Sequence, residues 1–230
     1  MTTRYHLARI GAVVALAGAP LLFVATLLHP MSTDPNDAPA AFAEYAASGT
    51  WVATHLGQFA GFALLCAALV GVAAAMEEGA PAAWARLGVV GAAASIAGAA
   101  ALQAVDGVAL KLAVDRWARA SGPARERAFE AAFAVRQVEV GTASLLSMVA
   151  GATVATFALA MLASRRFPTW VGAVGLLGGL ATVAAGVAQA YTGFSALSML
   201  LGMPAGCVVM AWAAIVGVLL WRLAPSLAGA

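Results

Sequence analysis

The chain reads as long apolar runs separated by short polar ones. The runs occupy about 9–28, 52–76, 86–106, 140–163, 170–190 and 203–222. Each is long enough to cross a hydrocarbon core about 30 Å thick as an α-helix, which needs roughly 20 residues at about 1.5 Å each. Six such runs predict an all-α polytopic membrane protein, a single six-helix bundle over residues 1–230. Between the third and fourth runs the pattern changes. Beyond Asp106-Gly107 the apolar positions contract to a stripe of Leu110, Val114 and Trp117, at i, i+4, i+7 spacing, opposite Lys111, Asp115 and Arg119. Ser121-Gly122-Pro123 is a turn signal, with Ser121 expected to cap the next helix. Phe129 and Phe133 then mark an apolar face until the fourth span begins near Glu139. Residues 107–138 are therefore expected to extend spans 3 and 4 as an amphipathic hairpin beyond, or folded over, one membrane face. Lys111, Asp115, Arg119, Arg125, Glu126, Arg127 and Glu130 read as its solvated side.

Composition agrees with this class. Hydrophobic residues make up 63% of the chain and charged residues 10%, against about 45–50% and about 25% in soluble domains. That balance argues against a soluble bundle. Arg4 and Arg9 precede the first run, as in a signal peptide, but the run is long for one and further spans follow, so an uncleaved helix is expected. Cys66 and Cys207 fall at different depths on spans 2 and 6 and read as packing residues rather than a bridge. Six crossings put both termini on one side with Arg4, Arg9, Arg86, Arg165, Arg166 and Arg222. Lys111, Arg116, Arg119, Arg125, Arg127 and Arg136 lie on the other. The basic counts balance. The arginines ahead of span 1 and the absence of Lys or Arg from 29–50 favour cytoplasmic termini in a bacterial inner membrane. The 29–50 segment is read as a connector, with a short surface helix over 40–47, carrying Phe42 and Tyr45, as the alternative.

Candidate chemistry gathers at one depth, near the ends of the spans that meet the hairpin. His55 and Gln58 lie in "WVATHLGQF". Gln103 and Asp106 share a helix face at i, i+3, as do Arg136 and Glu139. Gln189, Tyr191 and Thr192 close span 5, and span 1 ends at His29-Pro30. Polar side chains within spans are costly to leave unpaired and usually face a bundle interior. Two readings fit this layer. One is a self-satisfied network holding the bundle together, Glu139 with Arg136 and Asp106 with His55 or Gln58. The other is an outward-facing pocket in which Asp106, His55 and Glu139 do acid–base work. Gln58, Gln103, Arg136, Gln189 and Tyr191 would contact a substrate there, and Trp51, Phe59, Phe62 and Tyr191 could stabilise a developing cation by their ring faces. A metal is the alternative use of the acids, with His29, His55, Asp106 and Glu139 a two-histidine, two-carboxylate set suited to zinc. No cofactor is otherwise expected.

The chain has no phosphate-binding Gly-rich loop, no C-x-x-C, no H-E-x-x-H and no G-x-S-x-G. It also lacks the basic, aromatic-laced patch of a nucleic-acid binder. No span shows the mid-membrane interruption of a transport site. Three small-xxx-small motifs, at Gly57/Gly61, Gly175/Gly179 and Gly202/Gly206, predict close helix packing. The stretches "HPMSTDPNDAP", "THLGQF", "LQAVDGVALK", "VRQVEVG" and "QAYTGFS" together resemble a widespread set of small bacterial six-helix membrane proteins. The resemblance covers nearly the whole chain and implies a fold but no activity. In residue types alone the layer is also similar to those of membrane-bound terpene cyclases and sterol isomerases. Three function classes follow. The first is an intramembrane lyase or isomerase acting on a lipophilic molecule, its partners being that molecule and the bilayer. The second is a binding or transport protein for a small amphiphile or cation, and the third a structural or accessory subunit.

Overall fold

The computed structural model describes residues 1–229 as an all-helical chain without a strand among them. Eight α-helices follow in order: α1 (Thr3–Leu27), α2 (Ala38–Ala47), α3 (Trp51–Ala75), α4 (Ala80–Gln103), α5 (Lys111–Arg119), α6 (Gly122–Ala163), α7 (Thr169–Thr192) and α8 (Ala196–Leu223). A π-helical segment, Ala104–Leu110, joins α4 to α5, and a 3₁₀ turn, Ala224–Leu227, follows α8. Six helical units are long and apolar enough to cross a membrane. Their outward faces carry large apolar side chains such as Val90, Leu177 and Leu200, each about two-thirds exposed. So much apolar exterior suits contact with lipid rather than water, and the chain has the design of a multi-pass membrane protein.

Local chemistry sets the helix ends. Thr2, Asp37 and Ser195 accept backbone N–H bonds as N-caps of α1, α2 and α8. Gly193, at φ 65°, closes α7 in the left-handed region that favours glycine. At the terminal end of the bundle the last carbonyls of α3 have no helical partner. Arg4 donates to those of Ala74 and Met76, and Arg166 to that of Ala75. These arginines thus cap α3 as well as anchoring the bundle.

The long helices form a closed ring. Consecutive members α1, α3, α4, α6, α7 and α8 pack side by side, and α8 returns to α1. Glycine sets the closest approaches. A Cβ at Gly61 would lie 2.6 Å from the Leu22 backbone N, and one at Gly151 would lie 2.6 Å from the Gly179 carbonyl. Of the three predicted motifs, Gly61 and Gly179 make such contacts, whereas a Cβ at Gly202 would only touch Ala185, at 3.7 Å, and Gly206 faces open space. Toward the terminal end, Met76, Phe157, Met161, Trp212 and Leu220 fill the ring.

The hairpin end is built differently. α5 and the start of α6 form the expected hairpin, reached through the π segment without a break. Residues 38–47 are helical rather than a plain connector. α2 buries Phe42 and Tyr45 against Trp51, Leu110, Val114 and Trp117, a second small core lying over the ring. Lys111 is not solvated as expected. It reaches under α2 and donates to the terminal carbonyls of Tyr45 and Ala46 while pairing with Asp115 at 2.8 Å. Ser121 occupies the N-cap position of α6 but makes no side-chain capping bond.

Candidate functional site

His55 lies one turn into α3. Its Nδ1 donates to the Trp51 carbonyl at 2.7 Å, and its Nε2 meets Asp106 Oδ2 at 3.0 Å. A carbonyl only accepts, so Nδ1 carries a hydrogen. The Nε2–Oδ2 contact then holds one proton, shared by a ring and a carboxylate. The π segment positions Asp106 for this, and π turns are often found at functional sites. The Asp106 backbone carbonyl accepts the Trp51 indole N–H at 3.1 Å. Next to it Gly107 is buried, and a Cβ there would lie 2.6 Å from His55 Cβ. Only glycine lets the two helices meet at this level. Asp106 Oδ1 is buried without a partner.

His29 completes the cluster from the chain beyond α1. Its ring packs 5.0 Å from those of both Trp51 and His55, and its Nδ1 donates to the Pro30 carbonyl at 2.8 Å. Burial, and then the nearby His55, hold its imidazole below the usual histidine range. His29, His55 and Asp106 bring one donor atom each within 4.8 Å of one another. Tyr45 packs against Trp51 as a tilted pair, ring centres 4.3 Å apart, and burial pushes its phenol up to about 12.

Glu139 behaves differently. Both its oxygens accept from Arg136 Nη1 at 2.7 Å, and Arg136 also donates to the Pro35 carbonyl at 3.1 Å. The guanidinium lies over the Phe194 ring at 4.6 Å. Both side chains are buried. Glu139 is therefore held in an ion pair and does not join the three donors, unlike in the expected four-residue metal set.

Below this layer the ring holds a half-open cavity of about 440 Å³, reaching inward as far as Trp212, with the exposed Met203 and Cys207 of α8 at its edge. Most of its wall is apolar. Thr26, Ser95, Thr153 and Thr182 also line it, but each hydroxyl donates to the carbonyl four residues back. Gln189 is the exception, a 9% exposed side chain in the wall whose amide makes no hydrogen bond among the described residues. Phe194, beneath Arg136, and Ser198 stand beside it.

Of the expected contact residues, Phe62 and Gln189 line the cavity, while Trp51 and Arg136 belong to the layer above it. Gln58 and Phe59 are half-buried on α3 and line neither cavity nor cluster. Gln103 leaves Oε1 buried and unpaired one turn before Asp106. Tyr191 is 87% exposed and turned away. Cys66 and Cys207 are both free thiols and both line the cavity, Cys207 being exposed rather than packed. Neither the cavity nor the role of Gly206 in it was visible in the sequence, because small residues opposite one another leave no periodic signal. No family model, no curated protein and no solved structure matches the chain, so the meaning of this site rests on its own geometry.

Proposed function

We propose that this chain is a multi-pass protein of the cytoplasmic membrane, with both termini in the cytoplasm, that binds a lipophilic small molecule inside its helical ring. The bacterial setting follows from the resemblance noted above. The observation that carries the reading is the cavity. Its size falls in the range of small-molecule sites, about 300–1,000 Å³, and its apolar wall with one free amide suits a greasy molecule with a single polar end. An unpaired buried amide costs about 1–3 kcal/mol, which a ligand hydrogen bond at Gln189 would offset. The cavity's exposed edge lies on α8 at Met203 and Cys207, and through it the bilayer supplies the ligand.

A second reading, proton transfer to that molecule, is favoured by the proton shared between His55 and Asp106. It makes the protein an isomerase or cyclase of a lipophile. The pair does not line the cavity, so this version requires the polar end of the ligand to reach past Phe194 and Gln189.

One experiment separates these. Gly206 faces open space beside the cavity, so Gly206→Leu should fold while filling it. Native mass spectrometry of the purified chain should show a co-purifying small molecule in the parent and little in Gly206→Leu. Equal or absent occupancy in the two proteins would sink the binding reading. The extracted molecules also test the second reading. Asp106→Asn should carry a species of different chromatographic retention from the parent's if Asp106 acts on it, and the same species if it does not.

A further inference from the structure

We propose that His29, His55 and Asp106 form a binding site for one divalent first-row transition metal ion of the zinc class. The inference goes beyond lipophile binding and does not depend on what the cavity holds.

Three elements supply the donors: the chain after α1, the first turns of α3, and the π segment after α4. Their donor atoms lie within 4.8 Å of one another. At zinc bond lengths of about 2.0–2.2 Å, tetrahedral ligand atoms stand about 3.4 Å apart. The His55–Asp106 contact of 3.0 Å therefore opens by a few tenths of an ångström, and His29 closes in from within the same radius.

The surroundings resemble those of metal-bound histidines. A ligating imidazole characteristically donates its other ring N–H to a carbonyl or carboxylate, which fixes tautomer and orientation. Both rings do so here, His29 to the Pro30 carbonyl at 2.8 Å and His55 to the Trp51 carbonyl at 2.7 Å. Nε2 is then the ligand atom of each ring. The backbone that carries the carboxylate is also fixed, since the Asp106 carbonyl takes the Trp51 indole proton. Asp106 Oδ1 is a buried acceptor without a partner, and a cation would satisfy it.

Two imidazoles and one carboxylate favour zinc, or iron and its neighbours, over magnesium or calcium, which prefer all-oxygen shells. Glu139, held by Arg136, is not a fourth protein ligand. A three-ligand zinc site keeps its fourth position for water or substrate. In the metal-bound state the ion takes the place of the proton that His55 and Asp106 otherwise share.

The test uses the full chain, purified in detergent without a polyhistidine tag, loaded with zinc and passed through a desalting column. Bound metal is then measured by mass spectrometry. The parent is expected to hold about one zinc per chain, and a cobalt-loaded sample to show the visible absorption of tetrahedral Co²⁺. His29→Gln is the decisive variant, because it leaves the His55–Asp106 contact in place and so should fold. It should bind zinc at least about tenfold more weakly and lose the cobalt spectrum, while its metal-free melting temperature matches the parent's. Asp106→Asn should also lose zinc and the cobalt spectrum, and His6→Gln, which changes the remaining histidine, should bind as the parent does. Gly206→Leu should also bind normally, so failure of the cavity reading and failure of this one are distinguishable. The proposal is overturned if the parent retains less than a fifth of an equivalent, or if His29→Gln binds zinc as tightly as the parent.

Discussion

Glu44 accepts four hydrogen bonds, from the amides and hydroxyls of Ser32 and Thr33, and so pins the turn that follows His29-Pro30 onto α2. Slight burial opposes its ionisation, but the Ser32 and Thr33 bonds outweigh that and hold the carboxyl at about 2, below its ordinary 4.5. The sign follows. A depressed carboxyl stabilises the fold while it is ionised, so the contribution is full above pH 4.5 and disappears as pH falls through about 2. Amide hydrogen exchange at Ser32 and Thr33, corrected for intrinsic rates, should show protection at pH 5 that fades over this window. Glu44→Gln should weaken the protection at pH 5, by about 1 kcal/mol given the exposure of the site, and should flatten its dependence on pH. Protection unchanged between pH 5 and pH 2.5 would mean that Glu44 does not order this turn. Asp106 shows the other residue-scale lesson. Its partner, His55, lies fifty-one positions away, and one glycine, Gly107, decides whether they touch.

At the scale of elements, two seams hold the ring by different means from its centre. α1 meets α3 through Gly11, Gly18, Gly61 and Gly71, and α6 meets α7 through Gly151, Gly179 and Gly186, each close to backbone on the facing helix. In lipid the hydrophobic effect does not drive helices together, so van der Waals contact at such close seams contributes a large share of the association. Gly61→Leu should therefore force α1 from α3 and destabilise the chain by about 3 kcal/mol, seen as a lower melting temperature in detergent. Gly206→Leu, of the same chemistry but facing the cavity, should leave the melting temperature within a few degrees of the parent's. Equal losses from the two would show that Gly206 is also a packing residue.

For the whole molecule, the ring is filled at its terminal end and hollow toward the hairpin. That asymmetry gives the protein a direction, and the proposed orientation points the hollow end outward. Arg119, Glu126, Arg86 and Arg165 are all exposed side chains, so accessibility to a membrane-impermeant thiol reagent in intact cells reports their side of the membrane. In a Cys66→Ser, Cys207→Ser background, Arg119→Cys and Glu126→Cys should be labelled, and Arg86→Cys and Arg165→Cys should not. The reverse pattern would turn the cluster and the hollow end of the ring toward the cytoplasm.

Six apolar runs were legible in the sequence because a helix in lipid satisfies its own backbone, so length and hydropathy alone mark it. The hairpin was legible from its stripe of apolar positions, and the ion pair of Arg136 with Glu139 from their i, i+3 spacing. These are local properties, carried within one helix. Counting residues along each span also predicts one depth for His55, Asp106, Gln103 and Gln189, but only His55 and Asp106 meet, while Gln189 stands in the cavity wall. Rotation about the helix axes was not legible, and rotation is what separates buried Gln189 from exposed Tyr191 two residues later. Nor could counting show that Lys111 turns under α2, that Gly202 and Gly206 face a cavity, or that Glu139 stays apart from His29, His55 and Asp106. Those outcomes depend on which helix stands beside which. The closing of the ring decided them, through close contacts between glycines and backbones far apart in the chain.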